Sequence, residues 1–167
     1  MTMSTFSNSR TRLVLDWIPA AISVLVIALE STATMSAENT SQWLYPLWVK
    51  LFGPISTVHW EHVHHLIRKT GHFVGYGCVS LAFFYSWRQT FRRMAIQGWS
   101  LLRRASLSAV LCTLIIASLD EFHQSFLPSR TASPIDVGID LCGAITAQLL
   151  LLLMIQLFSQ RPNLRAA

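Results

Sequence analysis

The chain has 167 residues, of which 52% are apolar and only 13% are charged. A typical soluble domain carries about 25% charged residues, so this composition indicates an integral membrane protein rather than a soluble one. Most of the net charge of +5 comes from arginines beside apolar segments, where they would meet anionic lipid headgroups. We therefore expect membrane lipids as partners, and no nucleic acid.

Four apolar runs predict an all-α bundle of four transmembrane helices, in a single domain that covers residues 1–167. A spanning helix needs about 20 residues, so each run must recruit some polar neighbours. The predicted spans are about 13–30, 70–88, 104–122 and 134–158.

An external interfacial segment is predicted at about residues 41–69, between the first two spans. Its first part is rich in tryptophan and tyrosine, but Pro46 interrupts it and it is too short to cross the membrane. Its second part, from Ser56 to Thr70, has apolar residues at helical spacing and should lead directly into the second span. This segment could be a lid, a docking surface or an anchor.

The positions of the cations predict the orientation of the chain. Nine of the 13 lysines and arginines lie before the first span, between the second and third, or after the fourth: Arg10, Arg12, Arg88, Arg92, Arg93, Arg103, Arg104, Arg161 and Arg165. Short loops rich in lysine and arginine stay in the cytoplasm. Both termini are therefore predicted to be cytoplasmic, with the loop between spans three and four external.

The external ends of the spans carry a cluster of polar residues. Asp120, Glu121 and Gln124 end the third span, and Asp136 and Asp140 share one face where the fourth begins. The apolar stretch before Asp120 covers about 21 Å of a hydrocarbon core near 30 Å, so Asp120, Glu121 and Gln124 should lie below the outer surface, with the two acids facing the bundle. The same estimate places Lys69 and His72 at membrane depth.

Two interpretations of this cluster remain open. It could be a structural network of ion pairs and hydrogen bonds that joins the helices. Alternatively, it could be a ligand site, because so many ionisable groups at membrane depth are presumptively functional. In that case Arg130 and Lys69 would hold an anionic group, and the acids and Gln124 would orient them or bind amines.

A catalytic alternative is a membrane hydrolase or transferase that acts on a lipid-linked phosphate. Its candidate acid/base pair is His72 with Glu121. No histidine lies between Arg130 and Asp140 to serve as a nucleophile there.

Three further histidines, His59, His62 and His65, recur at steps of three residues. Successive steps of three drift by about 60° around a helix, so at most two of these side chains could converge on one metal ion. The pattern favours polar interfacial histidines, and we expect neither a metal nor another cofactor.

The order of the polar motifs resembles the VanZ-like family of small bacterial membrane proteins, which is named for a member linked to low-level teicoplanin resistance. The resemblance covers about Trp17 to Leu153 and rests on five motifs: Lys69-x-x-His72, Asp120-Glu121-x-x-Gln124, Pro128-x-Arg130, Ser133-x-x-Asp136 and Gly143. The chain departs from that pattern at Asp140, where asparagine is more usual.

The resemblance implies a multi-pass protein of the bacterial cytoplasmic membrane and cell envelope. Its external pocket would bind a lipid headgroup, a cell-wall precursor or a glycopeptide-type antibiotic. The family name implies no particular reaction.

Overall fold

The computed structural model describes the backbone of residues 3–159 and the side chains of residues 11–159. Within that part of the chain the regular structure is entirely helical, which confirms the all-α fold class. The elements are α1 (Met3–Glu30), a 3-10 turn (Ala33–Met35), α2 (Ala37–Phe52), α3 (Thr57–Arg93), α4 (Gly98–Gln124) and α5 (Pro134–Ser159). The predicted cytoplasmic cations Arg10, Arg161 and Arg165 lie outside the described side chains.

Three helices are long and apolar enough to cross a membrane: Thr11–Glu30, Gly98–Gln124 and Pro134–Ser159. These correspond to the first, third and fourth predicted spans, and they support a membrane protein. The second predicted span is the latter half of α3, whose 37 residues also include the polar stretch rich in histidine. A crossing by α3 therefore stays a prediction.

Helix α4 begins earlier than the sequence suggested. It starts at Gly98 and has 27 residues, so its length is about 40 Å. The predicted start near residue 104 followed the apolar composition, whereas the helix continues through Arg103 and Arg104, both of which are good helix formers. Its polar end is nevertheless placed as predicted, because the helix closes at Gln124.

Helix α3 is the centre of the bundle and packs against α1, α4 and α5. Its buried side chains Tyr76, Val79 and Phe83 meet a row of small α4 residues, Ala105, Ala109 and Ala117. Such small residues let membrane helices approach closely. The outer surface is apolar, with leucines such as Leu107 and Leu149 largely exposed, as a lipid-facing surface would be.

Helices α3 and α5 approach each other closely at Gly143. A Cβ atom at this position would collide with the backbone carbonyl of Phe73, and Gly77 faces the Gly143 carbonyl from the other side. This crossing fixes which residues of the two helices lie opposite each other.

The two ends of the bundle have different polar contacts. At one end Arg93 of α3 pairs with Asp16 of α1, and the Trp17 indole donates to the Thr90 hydroxyl over 3.2 Å. At the other end, the C-termini of α1 and α4 and the N-terminus of α5 meet α3 close to His72. The predicted polar cluster is therefore gathered at a single end.

Helix α2 docks on the first half of α3 at this same end. The Trp60 indole donates to the Ser41 hydroxyl over 2.7 Å, and its ring meets Tyr45 with centroids 5.3 Å apart. Pro46 does not interrupt α2, which runs continuously from its Ser36 N-cap to Phe52. Helix α3 also runs without a break from Thr57, as predicted for the stretch that leads into the second span.

Candidate functional site

The eight predicted site residues lie together and form what we call the polar mouth: Lys69, His72, Asp120, Glu121, Gln124, Arg130, Asp136 and Asp140. The four acids and Gln124 are buried, and Asp140 is completely so. The burial of Asp120 and Glu121 agrees with their predicted orientation toward the bundle interior. Their role in ligand binding stays a prediction.

Two ion pairs connect α3 with α5. Lys69 pairs with Asp136 in the first turn of α5, and His72 Nδ1 lies 3.2 Å from Asp140 Oδ1. The negative charge of Asp136 is also stabilised by the free backbone amides and the positive end of the dipole at the start of α5. Lys69 and His72 lie about one turn apart on α3, and Asp136 and Asp140 lie about one turn apart on α5. A single relative position of the two helices therefore allows both contacts.

Asp120 is held by two neutral donors. The Tyr76 hydroxyl donates to Asp120 Oδ2 over 2.9 Å, and Gln124 Nε2 donates to the same oxygen over 3.0 Å. The sequence reasoning missed Tyr76. Its position four residues after His72, on the same face of α3, is the signal that could have found it.

Glu121 is fixed by the start of α5. Its Oε2 accepts from the Ser133 backbone amide over 2.7 Å. The Ser133 hydroxyl in turn accepts from the Ile135 amide over 3.2 Å, just before the first turn of α5. The second oxygen of Glu121, Oε1, and Oδ2 of Asp140 are both buried without a hydrogen-bond partner.

Among the described residues, Arg130 makes no direct ion pair with the acids of the polar mouth. Its guanidinium donates to the backbone carbonyls of Glu30 and Thr32 and so caps the C-terminus of α1. Arg68 makes a similar contact, with the Met35 carbonyl at 3.0 Å. Helix ends leave carbonyls without intrahelical partners, and nearby cations satisfy them well.

A cavity of about 330 Å³ opens beside these residues. Its charged lining consists of three cations and two carboxylates: Arg68, Lys69, Arg130, Glu61 and Asp136. Trp60, His64, His65 and His72 also line it, while Ser41 contributes from α2. Burial lowers the pKa of Arg130, and the nearby charge of Arg68 lowers it further. Both guanidiniums line this one cavity.

The histidines His59, His62 and His65 are exposed and do not converge. His59 bonds the Ser56 hydroxyl, and His62 bonds the carbonyl of Val58. His64, which the sequence reasoning did not single out, is buried and contacts the Thr40 hydroxyl of α2 over 3.1 Å. The described residues that could converge on a metal ion are instead His72, Glu121 and Asp140.

One family model, VanZ/LLP1, matches residues 2–156. No curated protein and no solved structure matches the chain. The matched range covers nearly all of the sequence and includes every residue of the polar mouth. The chain therefore belongs to the VanZ/LLP1 family.

Proposed function

We propose that the chain is a four-span protein of the bacterial cytoplasmic membrane, with cytoplasmic termini and an external polar mouth. The fourth span is the α3 stretch at about 70–88, which packs among three helices that are each apolar enough to cross. At the end away from the mouth lie the arginines Arg12, Arg88, Arg92, Arg103 and Arg104. That excess of cations favours the cytoplasmic side.

The polar mouth serves as a binding site for an anionic headgroup. The observation that carries this function is the cavity, where Asp136 is already paired with Lys69. Among the described residues, the guanidiniums of Arg68 and Arg130 bond carbonyl and hydroxyl groups, which are neutral. The N–H donors of a planar guanidinium can bond two oxygens of one phosphate or carboxylate group. An anion in this cavity would give both guanidiniums a charged partner.

The cavity volume favours a small headgroup. Ligand pockets span about 300–1,000 Å³, and this cavity of about 330 Å³ lies near the lower limit. The phosphate of a lipid or of a lipid-linked cell-wall precursor fits that space better than a whole glycopeptide antibiotic.

A neighbouring cavity of about 320 Å³ supports a ligand with an apolar part. It shares Arg68, His72, Gln124 and Arg130 with the first cavity, and it adds apolar residues: Ile27, Met35, Trp43 and the ring of Tyr76. A headgroup held by the two arginines could therefore continue into an acyl or isoprenyl chain between α1 and α3.

The binding function is tested by titrating purified protein in phosphatidylcholine nanodiscs with phosphatidic acid, followed by the fluorescence of the cavity residue Trp60 and the other tryptophans. Arg130→Gln should weaken binding by about tenfold or more, since a hydrogen bond to a charged group contributes about 1.5–3 kcal/mol. Arg103→Gln, an exposed arginine of α4, is the matched control and should bind as the wild type does. Equal affinities for both variants would refute the role of Arg130.

Hydrolysis of a lipid-linked phosphate is a second candidate, favoured by the pair of His72 with Asp140 beside the arginines. His72 would act as the general acid or base and Glu121 as its partner. Release of inorganic phosphate from phosphatidic acid, lost in His72→Gln, would establish turnover. Binding without release would leave the binding function alone.

A further inference from the structure

Three helices each contribute one potential metal ligand to a group of side chains within the polar mouth. His72 comes from α3, Glu121 from α4 and Asp140 from α5, and their ligand atoms all lie within 4.8 Å of one another. Around a tetrahedral zinc ion with bonds of about 2.0–2.1 Å, neighbouring ligand atoms are about 3.3 Å apart. His72 Nδ1 and Asp140 Oδ1 already have this spacing, at 3.2 Å.

Two oxygens of this group have no hydrogen-bond partner among the described residues. They are Oε1 of Glu121 and Oδ2 of Asp140, in side chains that are only 5% and 0% exposed. A buried acceptor that is left unsatisfied costs about 1–3 kcal/mol, and more when it carries charge. Coordination of a cation would satisfy both carboxylates at once.

The carboxylates around this group also favour the binding of a cation. Among the described residues, the recorded partners of Asp120 and Glu121 are the neutral groups of Tyr76, Gln124 and the Ser133 amide. Lys69 is engaged with Asp136, and both nearby arginines bond carbonyl groups. Unpaired buried charges cost several kcal/mol each. A divalent ion would balance the excess negative charge.

We infer that His72, Glu121 and Asp140 bind a divalent transition-metal ion of the zinc type. Imidazole suits zinc and its neighbours, and carboxylate oxygens are common companion ligands. Three protein ligands leave a fourth position open, which at this place would face the cavity that His72 lines. The Ser133 amide holds the other oxygen of Glu121 and so orients this ligand.

The metal ligands are residues other than Arg68 and Arg130, so loss of zinc binding and loss of headgroup binding can be measured separately, although His72 lines the same cavity. The metal site is tested by isothermal titration calorimetry of the purified full-length protein, stripped with a chelator, against Zn²⁺. The wild type should bind one ion, and the near-isosteric variants Glu121→Gln and Asp140→Asn should bind it at least tenfold more weakly. The variant with His59, His62 and His65 all changed to alanine is the control for surface histidines and should keep the site.

X-ray absorption of the zinc-loaded wild type provides a readout that needs no variant to fold. The site predicts nitrogen and oxygen ligands near 2.0–2.2 Å with scattering from a single imidazole. The inference is overturned if the folded wild type binds no zinc, if several imidazoles surround the ion, or if binding disappears only in the triple-histidine variant.

Discussion

Individual side chains determine which residues of the polar mouth bond each other. The sequence predicted these partners only in part. Asp136 and Asp140 were placed on one face by their spacing of four residues, and both now meet α3. The partner of Arg130 could not be predicted, because its capping contact with Glu30 depends on how the loop between α4 and α5 lies against the distant end of α1. Tyr76 was missed because a tyrosine in an apolar run looks like an ordinary core residue.

Tyr76→Phe isolates one hydrogen bond of the mouth. Removal of the hydroxyl leaves Asp120 Oδ2 with the Gln124 amide as its remaining recorded donor. We expect a loss of about 1.5–3 kcal/mol, as for hydrogen bonds to charged groups, and a lower thermal midpoint in detergent. Tyr85→Phe, at a largely exposed position of the same helix, is the control. Equal midpoints for the two variants would mean that the bond to Asp120 contributes no stability.

At the scale of elements, the crossing of α3 and α5 sets the register of the mouth. Gly143 was named with the sequence motifs, but its contact with Phe73 follows only from the packed helices. Helix ends were easier to predict, since polar residues follow the apolar runs at Glu30 and Gln124. Helix α4 begins before the predicted span, because arginines continue a helix as readily as apolar residues do.

Gly143→Ala should destabilise the protein strongly. The added methyl group would meet the Phe73 carbonyl, and overpacking of this kind costs about 1–3 kcal/mol. The shift should also weaken the pair of Lys69 with Asp136. Gly138→Ala is the matched control on α5, because a Cβ atom there would meet no other group. Alanine also has a higher helix propensity than glycine. A thermal midpoint for Gly143→Ala equal to that of the control would contradict this account of the crossing.

Acidification should loosen the contact between α2 and α3. Burial, with the positive charge of Arg68, lowers the pKa of His64 below its usual value near 6.5. The folded state therefore favours neutral His64, so its contribution to docking is complete above about pH 6.5 and is lost as the pH falls through the lowered pKa. Hydrogen exchange of residues 37–52, corrected for intrinsic pH effects, should rise in that range.

His64→Gln removes the titrating group while keeping a side chain that can bond Thr40. Exchange in this variant should not depend on pH in the same way. Parallel pH profiles for wild type and variant would assign the change to another group.

At the scale of the whole molecule, the sequence was enough to predict a membrane protein, because composition and apolar runs are properties of the chain alone. The gathering of eight polar residues at one end followed from the same runs. The cavity and the three convergent ligands could not be foreseen, since they depend on how α2 covers α3 and how three helices rotate toward each other.

The proposed topology predicts which ends are accessible from outside the cell. In a chain with Cys78, Cys112 and Cys142 replaced by serine, Ser129→Cys should react with an impermeant maleimide in intact cells. Trp99→Cys, which is exposed at the opposite end, should react only after permeabilisation. The reverse pattern would invert the orientation.

The central claim is that the polar mouth holds an anionic lipid headgroup, and native mass spectrometry from detergent tests it most directly. The wild type and Arg103→Gln should each retain one phosphatidic acid molecule in preference to phosphatidylcholine, whereas Arg130→Gln should lose that preference. Equal retention of both lipids by the folded wild type would contradict the claim.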